Sequence, residues 1–112
     1  GMTAHIVFPC IDDLPATTSP KAMAMIREDI GFDNLIMTDD ISMEALSGTV
    51  PERARASLDA GCDIALHCNG DMTEMAGVAE VCGAMTPAMD IRAKRALRQM
   101  LTFRRLKRSF AP

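Results

Sequence analysis

The chain is predicted to be an α/β domain in which strands and helices alternate around a parallel sheet. Three observations carry that prediction. Short apolar runs with β-branched residues stand at Met2 to Phe8, Leu35 to Thr38 and Ile64 to Cys68. The stretches after them open on capping residues and close at Gly31, Gly61 and Gly83. The resulting order of strand, helix, strand, helix, strand, helix, helix is that of successive βα units with right-handed crossovers.

Each element has its own local signal. Met2 to Phe8 is a strand or strand end, stopped by Pro9. Residues 9–18 form a loop with Asp12, Asp13 and two prolines, the composition of a connection at the mouth of a site. Ser19 is an N-cap with Pro20 at the first helical position, and the helix runs to about Ile30 with Met23, Ile26 and Ile30 on one face. After the strand Leu35 to Thr38, Thr49 and Glu52 have the spacing of a capping box, and the Ala-rich helix they open ends before Gly61. Ile64 to Cys68 is closed by the turn signal Asn69-Gly70. Asp71 caps a helix with Met75, Val78, Ala79 and Cys82 at helical spacing. Thr86-Pro87 begins a last, basic helix over 87–108.

Composition bounds the function classes. The 112 residues make one domain's worth of chain, and 48% apolar with 24% charged residues is ordinary for a globular protein. Ten Met and four Phe, without Trp or Tyr, predict a core rich in Met and Ala. The net charge of −3 points to neither nucleic acid nor membrane, and no apolar run approaches the roughly 20 residues that a membrane span needs. No signal peptide opens the chain. Cys10, Cys62, Cys68 and Cys82 contain no Cys-x-x-Cys pair and lie in or beside apolar segments, which points to buried, reduced thiols and a cytoplasmic setting. A metal site built on His5, Cys10, His67 and Cys68 is disfavoured, because neighbours such as His67 and Cys68 point to opposite faces of a strand.

The informative stretch is Leu35-Ile36-Met37-Thr38-Asp39-Asp40-Ile41-Ser42-Met43. An apolar run followed at once by two carboxylates is how a buried parallel strand looks where its carboxyl end opens into a site. A carboxylate there can serve as nucleophile, general base or metal ligand. Alternatively the Asp-Asp pair only caps the next helix or turn. Since neighbouring strand residues point to opposite sides, Asp39 and Asp40 cannot both aim at one reacting atom.

The segments Met2-Thr3-Ala4-His5, Pro15-Ala16-Thr17-Thr18-Ser19-Pro20, Arg27-Glu28-Asp29-Ile30-Gly31-Phe32, Thr38-Asp39-Asp40-Ile41-Ser42-Met43 and Ala60-Gly61-Cys62-Asp63 occur together in one known group. In order and spacing they resemble the later part of the catalytic barrel of bacterial β-N-acetylhexosaminidases of glycoside hydrolase family three, the peptidoglycan-recycling type. The likeness runs from Met2 to about Asn69. It implies a partial (β/α)8 TIM barrel: an eight-unit barrel takes about 250 residues, so the chain would supply the last three βα units plus a C-terminal helix, as a single partial domain over 1–112 that starts within the barrel.

The resemblance also implies chemistry. The residue directly after the Ser/Thr of this motif is the family's nucleophile, which maps onto Asp39 and implies retention through a covalent glycosyl-enzyme. Asp40 would line the site or position the loop. Met43, with Ser42, could floor the pocket or simply pack. His5 is implied to lie near the sugar, the alternative being a hydrogen-bonded histidine at a strand end. The family's acid/base histidine belongs to a Lys-His-Phe-Pro-Gly-His-type segment that does not occur in these residues. Neither metal nor organic cofactor is implied.

Arg92, Lys94, Arg95, Arg98, Arg104, Arg105, Lys107 and Arg108 place eight of the 12 basic residues in one acid-free run. Such a helix could bind phosphate-rich polymers or an anionic surface, but a solvated terminal helix docked through Ala96, Leu97, Met100, Leu101 and Phe103 is the preferred reading. The expected activity is an exo-β-N-acetylglucosaminidase acting on peptidoglycan fragments such as anhydromuropeptides, with a carbohydrate as partner and isolated residues 1–112 inactive. The alternative is a non-catalytic interaction or assembly module associating through open sheet edges.

Overall fold

The structure, a computed structural model, describes residues 1–109, with side chains as far as Met100. In chain order the elements are α1 (Pro20–Ala24), continued by a wider π turn at Met25–Asp29, β1 (Met37–Asp40), α2 (Val50–Ala60), β2 (Ile64–Leu66), α3 (Met72–Cys82) and α4 (Pro87–Ser109). β1 and β2 are parallel neighbours in a two-stranded sheet.

The alternation holds, while the strands depart from expectation. Met2 to Phe8 does not form a continuous strand. Only its start joins β1, by Met37 N–H to Gly1 O (3.0 Å) and Thr3 N–H to Met37 O (2.9 Å). Beyond His5 the chain is drawn toward the loop, where Val7 bridges Pro15 antiparallel and Ala16 N–H donates to Ile6 O. β1 is displaced toward the carboxyl end relative to Leu35–Thr38, so that Asp39 and Asp40 belong to the strand itself. β2 is shorter than Ile64 to Cys68.

Two glycines permit the close packing. Gly61 ends α2 at φ +121°, a conformation open to glycine, and sits against Met23. A Cβ on Gly77 would lie 2.7 Å from the Pro51 ring, so α3 can approach α2 only with no side chain there. One core cluster gathers Met23, Ile36, Ala60 and Cys62; a second gathers Ile41, Leu46, Val50 and Ala54 and is covered by Ala65, Val78, Val81 and Cys82. Met75 and Ala79 therefore face outward, contrary to the predicted stripe.

The π turn corrects the predicted face of α1. Ile30 N–H bonds back five residues to Met25 O, and the extra residue rotates Ile30 out of line with Met23, leaving it 69% exposed on the rim of an apolar groove with Met2, Phe8, Ile26, Phe32 and Ile36.

The terminal helix also docks differently. Leu97 and Met100 are 57% and 47% exposed rather than packed, and Leu101 and Phe103 lie outside the residues with described side chains. What ties α4 down is ionic: Arg92 binds Asp33 and Asp63, and Arg95 binds Asp33. Among the described residues no helix is long and apolar enough to cross a membrane.

Candidate active site

The carboxyl end of β1 is irregular. Met37 pairs with Ile64 and Asp40 with Leu66, so three steps on β1 face two on β2, and the bulge falls at Thr38–Asp39. Bulges re-aim side chains and recur beside reactive groups. Fully buried Thr38 compensates for the broken ladder, its Oγ1 accepting the Leu66 N–H at 2.8 Å.

The two carboxylates of the pair have different surroundings. Asp40 is saturated: Oδ1 accepts from Ser42 N–H (3.0 Å) and Cys68 N–H (3.1 Å), and Oδ2 accepts from Ser42 Oγ (2.6 Å). Burial pushes its pKa up, but the Ser42 hydroxyl, the N–H groups of Ser42 and Cys68 and the charge of His67 outweigh it and hold the carboxyl below the ordinary range. Asp40 thus stitches the end of β1 to the end of β2 and to the following turn. Asp39, half-buried, accepts one hydrogen bond, from Asp40 N–H to Oδ1 at 2.8 Å; its other oxygen takes none among the described residues.

His5 lies beneath this end. Nε2 is 2.9 Å from Asp40 O, and Nδ1 is 2.8 Å from Thr17 Oγ1, which is 2.9 Å from Thr3 Oγ1. A carbonyl only accepts, so Nε2 carries the proton. In the neutral ring Nδ1 then accepts from Thr17, and Thr17 from Thr3. Both ring nitrogens of His5 thus have protein partners. Met43 is exposed on the turn after Ser42, its N–H donating to Asp40 O at 3.1 Å.

His67 is buried beside Glu74, with Nε2 3.1 Å from Oε2, and Asn69 Nδ2 donates to the same oxygen. Its Nδ1 is buried with no partner among the described residues. A cleft of mixed lining, with Ser42, Arg53, Asn69 and Glu74 beside Val50 and Pro51, opens between the loops that follow β1 and β2. Among the described residues no three His, Cys, Asp or Glu side chains are grouped to hold a metal ion. Of the thiols, Cys62 is buried and burial pushes it up to about 11, whereas Cys10 and Cys68 are exposed, contrary to expectation.

One buried group escaped the sequence reading. Arg53, on the inner face of α2, sends Nε to Gly48 O (2.8 Å) and Nη1 to Ile41 O (3.2 Å) and Met43 O (3.0 Å). The available signal was a cation at the helical spacing of the small and apolar residues Val50, Ala54 and Ser57, the buried stripe of its helix.

Residues 1–100 match the sequence pattern of the "Glycosyl hydrolase family 3 N terminal domain". The chain belongs to glycoside hydrolase family 3. A beta-hexosaminidase of Neisseria meningitidis serogroup C is 48% identical over 71 residues, covering 61% of this family 3 chain and 20% of the relative. One from Alkalilimnicola ehrlichii is 42% identical over 71 residues, with the same coverage. The chain thus spans about a fifth of the length of these curated relatives. Among solved structures, NagZ from Neisseria gonorrhoeae in complex with N-trifluoroacetyl-D-glucosamine is 35% identical, with a TM-score of 0.67 over 81% of this chain and 26% of that one. CbsA from Thermotoga neapolitana is 29% identical at a TM-score of 0.67, over 90% of this chain and 24% of that one.

Proposed function

We propose that this family 3 chain is the nucleophile-bearing part of a retaining β-N-acetylhexosaminidase, with Asp39 as nucleophile, in a partial barrel of three βα units. The supporting observation is that Asp39 stands at a bulged strand end with one oxygen held and the other open. In the reaction the open oxygen would bond to the anomeric carbon as the glycosidic C–O bond breaks and the departing oxygen takes a proton; water then hydrolyses the ester. The family resemblance assigns that proton to a histidine segment that does not occur in these 112 residues, and in keeping with it His5 has both ring nitrogens occupied and His67 is held against Glu74. Asp40 and Met43 shape the sugar-facing surface, with Asp40 acting chiefly by holding Asp39.

The substrate class in this reading is terminal β-N-acetylglucosamine on peptidoglycan fragments such as anhydromuropeptides, in the cytoplasm. The relatives' names and the N-trifluoroacetyl-D-glucosamine held by the gonococcal protein support the sugar. A 5-fluoro N-acetylglucosaminyl donor, applied to the chain mixed with a separately expressed piece carrying the earlier βα units, should label Asp39. A label on Asp40, or none on either, overturns the assignment. Residues 1–112 alone should not turn over 4-nitrophenyl N-acetyl-β-glucosaminide; turnover by the chain alone would place the acid on His5 or His67.

The apolar groove beside the unfinished first strand favours a second reading, a non-catalytic module that associates through its open edge. Analytical centrifugation separates the two: self-association without labelling or complementation supports the module.

A further inference from the structure

We infer that Arg53 is a positioning residue that holds the loop 41–48 in its working shape and thereby fixes the carboxyl end of β1; this rests on the reading of Asp39 as nucleophile. Arg53 is buried, and the nearest carboxylate is Glu44, 4.0 Å away with its side chain 97% exposed, where water screens the attraction. The guanidinium charge is instead satisfied by the carbonyls of Ile41, Met43 and Gly48, which come from both ends of one loop. A buried cation is costly unless hydrogen-bonded, so the loop and the guanidinium hold one another.

The hold reaches the reactive carboxylate through a short series of contacts. Ile41 and Leu46 anchor the loop in the core, and the Ile41 and Met43 carbonyls bound by Arg53 flank Ser42. Ser42 donates twice to the Asp40 carboxylate, and Met43 N–H donates to Asp40 O. Asp40 N–H in turn holds Asp39 Oδ1. The guanidinium suits this task because its planar fork reaches several carbonyls at once, whereas an ammonium offers a single point.

The experiment compares R53K and R53M with wild type. Amide hydrogen exchange is measured on the chain, and kcat and KM on the complemented enzyme, with D39N alongside. In both variants the amides of 42–48 should exchange about tenfold faster or more, with β2 and α3 within about threefold. kcat should fall about tenfold or more while KM stays within about threefold, since a small displacement of a reacting group is costly in rate. In R53A, added methylguanidinium should restore part of kcat. Should R53M fail to fold, R53K, which keeps the stem and the charge, decides. Wild-type loop exchange in R53K, or acceleration spread evenly along the chain, overturns the role of Arg53. Turnover surviving in D39N overturns the nucleophile instead and leaves the loop result standing.

Discussion

Asp39 and Asp63 lie at opposite ends of one pair of strands, and their partners give them opposite uses. Asp63, just before β2, has a side chain only 1% exposed and both oxygens engaged: Oδ2 accepts from Arg27 Nη2 (2.8 Å) and Ile36 N–H (2.9 Å), and Oδ1 from Arg92 Nη1 (3.0 Å). Arg27 extends this hub to Phe32 O and Asn34 O, so one carboxylate ties α1, the entry to β1, β2 and α4 together. Asp39, at the carboxyl end, has one oxygen held by a neighbouring N–H and the other open. A filled carboxylate cannot attack an electrophile without first breaking its bonds. A half-filled one is oriented and still available. Asp40, saturated like Asp63 but adjacent to Asp39, belongs by this criterion with the positioning groups.

That comparison predicts a crossed pair of effects. D39A should lower turnover of the complemented enzyme by about 10⁴-fold or more with little change in the melting transition, since in the proposed reading it removes the nucleophile of a catalytic set. D63A should do the reverse, destabilising the chain by about 3–5 kcal/mol in urea melts because it removes the buried carboxylate shared by two partly buried guanidinium groups. A D63A chain that melts like wild type would break the contrast.

A smaller effect belongs to the hydroxyl series under the site. T17V removes the group between Thr3 and His5, leaving polar atoms without their partner in a buried place, and should cost about 1–3 kcal/mol. His5 imidazole resonances read by NMR should shift with it; unchanged ring signals would mean that Thr17 does not orient the ring.

The mildest test is acid. Hydrogen bonding keeps the Asp40 pKa below its ordinary value of 3.8 in the fold, so its contribution to stability is present above that value and is lost as the pH falls through the lower, folded one. D40N should therefore be less stable than wild type at pH 7, with the two curves converging below about pH 4. A difference that does not shrink as the pH falls below the ordinary value would assign the effect to packing instead of charge.

Much of this was legible in the chain, for local reasons. Ser19 caps α1 through Ala22 N–H, Gly61 ends α2, and the alternation of βα units survives, because caps, turns and helical spacing are decided within a few residues. The Thr38-Asp39-Asp40 segment could be read as a strand end meeting a site for the same reason, and its family followed from motif order. The tertiary structure decided how fully each carboxylate is engaged. Beside the two local bonds from Ser42 to Asp40, the bonds that decide it join residues far apart in sequence, 28 positions for Cys68 with the Asp40 carboxylate and 36 for Arg27 with Asp63. Likewise, the bulge that displaces β1 depends on β2, the failure of Met2 to Phe8 to continue as a strand depends on the loop at Pro15, and the burial of Arg53 depends on the carbonyls of a loop folded back over its helix. Sequence spacing specifies which face of a helix or strand a residue occupies; only packing determines what meets that face.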